Sequence, residues 1–211
     1  MTHRAITTLK EVSLVAAEDT RHSKKIFMQY EIDTPLISYF EHNHSLRVSK
    51  LIKHMNEGKD LGLITDAGTP GVSDPAYRIV REAIKASIEV VSIPGASAVL
   101  AALVSSGLPT DRFLFEGFLP PKKGRKKRIE SVKQVDATVI YYESPHRIGR
   151  ALKQLYEILG DRPAVVAREL TKLHEEFKRG TLSELSAYYD ERKVKGECVI
   201  MIGKDDENVY F

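Results

Sequence analysis

The sequence predicts an α/β protein of two domains, each a mostly parallel or mixed sheet flanked by helices, and three observations carry that expectation. Short apolar, β-branched runs alternate with helix-length amphipathic segments. Several of these runs end in turns containing Gly or Pro that lead straight into a helix. The pattern then changes character once, at Ser106-Gly107-Leu108-Pro109-Thr110, where Gly and Pro punctuate both neighbouring stretches. The expected domains are therefore 1–108 and 109–204, with a polar tail at 205–211. Each domain has about 100 residues, a common size.

In chain order, strands are expected at residues 13–17, 35–40, 61–65 and 89–93, with helices at 21–30, 45–56 and 75–86. In the last helix Ile79, Val80, Ala83 and Ile84 recur at helical spacing. The second domain is read as a strand at 113–118, a basic helix, a strand at 137–142, a helix at 145–159 and a strand at 163–169. It closes with a helix at 183–189 and a strand at 198–202; residues 173–181 are a candidate further strand, against which their charge density argues. Residues 208–211 are expected to be a disordered tail.

Hydrophobic residues make up 42% of the chain and charged residues 29%, which places it among soluble globular proteins rather than disordered ones. No apolar run approaches the roughly 20 residues of a membrane span. No basic-then-apolar leader is present either, so the chain reads as cytoplasmic. The single Cys198 lies in an apolar run and reads as a buried, inert thiol. Net charge is only +3, but residues 122–128 place six cations in seven positions, a local footprint suited to a polyanion or to a solvated helix start.

The most informative stretch is Thr65-Asp66-Ala67-Gly68-Thr69-Pro70-Gly71-Val72-Ser73-Asp74-Pro75, between a strand and a helix. Asp74 is suited to the N-cap and Pro75 to the first turn. Its glycines permit positive φ or close approach of a ligand, and Asp66 sits at the strand's carboxyl end, where open α/β sheets place ligands. Alone, the stretch reads more readily as a tight structural turn than as a ligand site. Neither G-x-G-x-x-G nor G-x-x-x-x-G-K-[ST] occurs, which disfavours the familiar nucleotide-phosphate sites.

Ile93-Pro94-Gly95-Ala96-Ser97-Ala98 repeats the arrangement, with Ser97 suited to capping or to a ligand. The second domain gathers polar groups in Tyr142-Glu143-Ser144-Pro145-His146-Arg147 and Ala167-Arg168-Glu169-Leu170-Thr171-Lys172. Pairing of Glu143 with Arg147 is the competing structural explanation, and a lone His146 near a helix start is more often structural than catalytic. His42 and His44 alternate in a loop, a pattern that rarely holds a metal.

Taken in order, these motifs with Ala17-Glu18-Asp19-Thr20-Arg21 and Gly117-Phe118-Leu119-Pro120 resemble the bacterial 16S ribosomal RNA ribose 2'-O-methyltransferase I family of the tetrapyrrole methylase superfamily. The resemblance covers residues 2–203. It implies the two-domain tetrapyrrole-methylase fold, S-adenosyl-L-methionine in a cleft between the domains, and a homodimer. The implied reaction methylates the ribose 2'-hydroxyl of a cytidine in 16S rRNA of the small ribosomal subunit. By motif position, Asp66, Gly68, Thr69, Ser97 and Ala98 are implied to bind cofactor, with Tyr142, Ala167, Arg168 and Gly196 from the second domain. A ribose hydroxyl needs a general base, and Glu143, Glu169 and Lys172 are the nearest candidates by motif, with His146 behind them; no metal is required.

The basic run then has a role at the cleft edge. Lys122, Lys123, Arg125, Lys126, Lys127 and Arg128 are expected to hold rRNA phosphates, assisted by Arg21 and Arg147. One departure matters: the family normally opens with a further strand and a Gly-rich loop upstream of the position of Met1, which itself matches an internal methionine. A shortened chain with an exposed sheet edge and weakened cofactor binding is expected. Two rival readings follow, a small-molecule methylase of tetrapyrrole type and a non-catalytic ribosome-binding module.

Overall fold

The computed structural model describes residues 1–40, 44–74, 76–190, 192–206 and 208–210. They form two compact units, Met1–Ser97 and Ala98–Phe211.

The first unit holds α1 (His3–Glu11), β1 (Leu14–Ala17), α2 (Thr20–Gln29), β2 (Leu36–Ser38), α3 (His44–Asn56), β3 (Leu61–Ile64) and α4 (Ala76–Lys85). Its sheet runs β2-β1-β3 with both pairings parallel. Parallel neighbours need crossover connections, and α2 and α3 supply them. The central strand is closed to solvent on both faces, with Val15, Ala16 and Ala17 fully buried. Leu9, Phe27 and Ile32 pack with Val15, while Tyr39, Leu51 and Ile79 pack with Ala16. Alternate strand residues point to opposite faces, so these neighbours feed two separate clusters.

Two sequence readings change here. Helix α1 is not expected from the sequence, because its charged segment shows one buried residue, Leu9; the Thr2 hydroxyl caps it by accepting from Ala5 N at 3.2 Å. Residues 89–93 form no strand. Their β-branched composition supplies propensity, but a strand needs a hydrogen-bonded neighbour, and among the described residues the sheet ends at β3. Val90 and Val91 are correspondingly exposed.

The second unit holds α5 (Ala98–Val104), β4 (Phe113–Phe118), α6 (Arg125–Glu130), β5 (Thr138–Glu143), α7 (Ile148–Leu159), β6 (Pro163–Arg168), β7 (Glu176–Thr181), α8 (Leu182–Asp190) and β8 (Cys198–Ile202). The sheet order is β4-β5-β8-β6-β7, parallel at β4/β5 and antiparallel elsewhere. All five residues of the central strand β8 are buried, which accounts for its unbroken apolar run. Leu152, Leu155, Leu182 and Leu185 cover one face of the sheet. Val99, Ala102 and Leu103 of α5 cover the other with Ile140, Val165 and Met201.

That apolar face of α5 explains why the second unit begins at Ala98, upstream of the Gly-Pro punctuation at 106–110. Arg179 on β7 also donates to the carbonyls of Ser105 and Ser106 just past the end of α5. The tail is less loose than its composition suggests: Val209 packs against this second cluster, and Asp205 pairs with the buried Arg162 at 3.4 Å. Glu207 and Phe211 lie outside the described residues.

Candidate functional site

The candidate residues fall into two groups, one in each unit. In the first, the carboxyl ends of β1 and β3 are stitched together by Glu18, whose Oε2 accepts from Thr65 Oγ1 at 2.8 Å and Asp66 N at 3.3 Å. Asp19 N in turn donates to Asp66 Oδ1 at 3.3 Å. Beyond Asp66 the backbone takes positive φ at Gly68 (75°), Gly71 (91°) and Ser73 (65°). The turn is held from below by Asp74, which accepts from Gly71 N with both carboxylate oxygens and from Ala76 N at 2.7 Å. Asp74 thus does the work expected of a cap, while Pro75 lies outside the described residues.

The two Gly-containing loops meet. The Thr69 hydroxyl donates to the carbonyl of Ala96 at 3.0 Å. No described heavy atom lies within 4 Å of where a Cβ would project from Gly68, Gly71 or Gly95, so the backbone is open to a ligand at each. Ser97 immediately precedes α5 and Ala98 opens it. Glu18 belongs to the Ala17–Arg21 motif with no role expected of it; its place next to Asp19 at a strand end was the available signal.

In the second unit the Tyr142–Arg147 motif is built around Glu143. Its side chain is fully buried, with Oε2 accepting from Arg125 Nη2 at 3.0 Å and Oε1 from Arg147 Nε at 2.8 Å and Ser144 N at 2.8 Å. A carboxylate walled in by two guanidinium groups and a backbone donor has no access to a ribose, so Glu143 is a clamp rather than a base. Arg125 is likewise withdrawn from the expected phosphate-binding set: it is buried, donating also to Gln154 Oε1 and to the carbonyl of Pro120. Sequence reasoning missed Gln154, which is one more polar residue on an amphipathic helix until the fold brings it to Arg125.

Tyr142 stands beside this clamp, its ring 4.9 Å from Phe115 and 5.3 Å from Phe118. Burial raises the pKa of its phenol. Ala167 is fully buried, its methyl part of the core cluster with Val165 and Val199. Arg168 is held by Glu176 at 3.0 Å and by the carbonyl of Lys195.

Glu169, Lys172 and Gly196 do come together. Glu169 Oε1 accepts from Lys172 Nζ at 2.9 Å and from Glu197 N at 3.0 Å, and Lys172 also reaches Glu197 Oε2 at 2.9 Å. A Cβ at Gly196 would collide with the Glu169 carboxyl group, so this close approach requires glycine. The Lys172 ammonium holds the Glu169 carboxyl below the usual carboxylate range. Glu197 and Glu169 together raise Lys172, which keeps it cationic and unsuited to act as a base. Glu197 was the missed member, flagged only by its position next to Gly196.

Of the basic run, Lys122, Lys123, Lys126, Lys127 and Arg128 are exposed. Lys126 lies 3.7 Å from Glu130, and Arg128 pairs with Glu116. Arg21 is exposed but bound in bidentate fashion by Asp19, whose own pKa falls to about 2 beside that guanidinium. Arg147 is part-exposed, with one edge held by Glu143. Among the described residues no group of three or more His, Cys, Asp or Glu is placed to hold a metal ion; His42 lies outside them and His44 opens α3. No described helix is long and apolar enough to cross a membrane.

A family profile for tetrapyrrole (corrin/porphyrin) methylases matches residues 1–186. The chain is 48% identical over 211 residues to the ribosomal RNA small subunit methyltransferase I of Synechocystis, covering 99% of this chain and 76% of that protein. The protein of the same name from Thermotoga maritima is 41% identical over 206 residues, covering 97% of this chain and 93% of its own length. The chain belongs to the ribosomal RNA small subunit methyltransferase I family of tetrapyrrole methylases. The family fold extends to distant proteins. Diphthine synthase aligns with a TM-score of 0.72 at 17% identity, covering 96% of this chain and 84% of that one. A cobalt precorrin-4 methyltransferase aligns at 0.68 and 16%, covering 96% and 88%. At such identities the likeness speaks for the fold alone.

Proposed function

We propose that this chain is an S-adenosyl-L-methionine-dependent methyltransferase that modifies the ribose 2'-hydroxyl of a cytidine in small-subunit ribosomal RNA. Its close relatives are named for methylation of that RNA, and the exposed lysines at 122–127 supply a surface a polyanion needs. The observation that carries the cofactor reading is the Thr69–Ala96 hydrogen bond. It fixes two loops whose glycines at 68, 71 and 95 leave open backbone, a cradle suited to the adenosyl and amino-acid portions of the cofactor.

When bound, S-adenosylmethionine supplies an electrophilic methyl group on a sulfonium. The residues of this chain position the acceptor and move one proton. Positioning contributes up to roughly 7–11 kcal/mol in well-oriented systems. Lys172 Nζ and Glu197 N both bind Glu169 through Oε1, and Oε2 would accept the proton of the ribose hydroxyl. General-base help of this kind is worth about 10²–10⁴-fold. Lys172 and Gly196 hold that carboxylate in place, and the lysines at 122, 123, 126 and 127 with Arg147 hold phosphates. A homodimer is part of the same reading.

The test is transfer of a labelled methyl group from S-adenosylmethionine to purified small ribosomal subunits, followed by nuclease mapping. Label in a nuclease-resistant cytidine dinucleotide supports the proposal. Label on a base, or none at all with intact subunits, overturns it.

A further inference from the structure

The exposed end of the β4/β5 pair carries an aromatic feature, Phe118, to which no role has been given and which the clamp around Glu143 does not use. Phe118 is the last residue of β4 and lies directly across from Tyr142 in the ladder. The two rings are 5.3 Å apart and tilted by 58°, and Phe115 backs Tyr142 at 4.9 Å in an edge-to-face contact. Phe118, by contrast, is 59% exposed, although Leu119 beside it is 1% exposed.

A single exposed apolar side chain is ordinary. What distinguishes Phe118 is its setting. Arg125 donates to the carbonyl of Pro120, two residues beyond Phe118, and pairs with Glu143, one residue beyond Tyr142. The same arginine therefore anchors both strand ends, and it opens helix α6 within the exposed lysine run. A rigid aromatic surface tied to a cluster of cations is the chemistry that binds single-stranded nucleic acid: cations follow the phosphates while a base stacks on the ring.

We propose that Phe118, backed by Tyr142, is a stacking platform for one unpaired nucleobase of the RNA substrate; this rests on the reading of the chain as an RNA methyltransferase. A nucleotide in a single-stranded stretch presents an unstacked base, and an exposed ring offers that base an apolar partner. Stacking tolerates any base, so the platform holds the strand near the reacting ribose without selecting its sequence.

The experiment uses the full chain and a fluorescently labelled single-stranded oligoribonucleotide, with binding read by anisotropy over a series of salt concentrations. Phe118→Ala is expected to weaken binding roughly 5- to 150-fold, the range for removing one base–aromatic stack, with the salt slope unchanged. Phe118→Trp restores affinity to within about twofold. An oligonucleotide with abasic sites binds weakly and is insensitive to Phe118→Ala. Unchanged affinity in Phe118→Ala overturns the platform, as does a changed sedimentation coefficient with unchanged RNA affinity, which assigns the ring to an interface between two copies. Methyl transfer to small subunits is measured beside it on the unsubstituted chain. Absence of transfer there tells against the enzymatic reading, whereas transfer combined with indifference of RNA binding to Phe118 tells against the platform alone.

Discussion

Arg125 Nη2 lies 3.0 Å from Glu143 Oε2, and the two side chains are 4% and 0% exposed. This ion pair joins the start of the basic helix α6 to the end of β5, with Arg147 closing the other side of the carboxylate. Removing one partner leaves an uncompensated buried charge. Arg125→Ala is expected to destabilise the protein by about 3–5 kcal/mol, read by urea unfolding. Replacing both residues together, as Arg125→Met with Glu143→Leu, recovers much of that stability if the pair specifies position more than stability. A stable single variant contradicts this account.

Gly196 adopts φ of 93° and faces the Glu169 carboxyl. Gly196→Ala is expected to displace Glu169 and lower kcat for methyl transfer by about 10²-fold or more. The fold should survive, so circular dichroism stays native while turnover falls. Turnover equal to that of the unsubstituted chain removes Glu169 from the mechanism.

The Glu169–Lys172 pair also has a pH signature. Glu169 is lowered in the folded chain, so its contribution to stability is present above the unfolded carboxylate pKa, near 4.3, and is lost as pH falls through the folded value. Lys172 is raised, so its contribution is present below the unfolded value, near 10.4, and is lost as pH rises through the folded one. Lys172→Met should therefore lower stability in the centre of that window, flattening the fall towards either end, and leave stability at the two extremes of pH similar. Thermal melts from about pH 3 to pH 11 would reveal this, and parallel profiles would refute it (the range follows those reference values).

Lys122, Lys123 and Lys127 are exposed, unlike Arg125. Alanine at each should reduce the slope of log affinity against log salt by about 0.7 for every phosphate of single-stranded RNA that is no longer neutralised. An unchanged slope in the triple variant means that these lysines face solvent without touching RNA.

Burial pushes the Cys198 thiol up to about 11. The native protein should resist a thiol reagent at about pH 8 and react fully only when unfolded, as followed by absorbance. Rapid native modification would show that β8 opens locally.

Most elements could be read from the chain because their signals are local. Helix α4 announced itself by Ile79 and Ala83 at helical spacing, and β8 by its apolar run. Residues 89–93 had equal β propensity and formed no strand, since a ladder partner lies outside any local window. The motif around Asp66 was legible for the same reason as α4, because a Gly-containing strand-to-helix turn is a local feature.

Charge, by contrast, misled where partners were distant. Arg125 looked like its lysine neighbours, but its carboxylate partner sits 18 residues along the chain. Glu169 was a base candidate by motif alone, and only the fold brings Gly196 and Glu197 beside it. By itself the sequence determined the alternating α/β plan, the strand-end loops and the family. Tertiary structure alone decided which charges are buried in pairs and which face solvent, because side-chain desolvation depends on neighbours that only folding assembles.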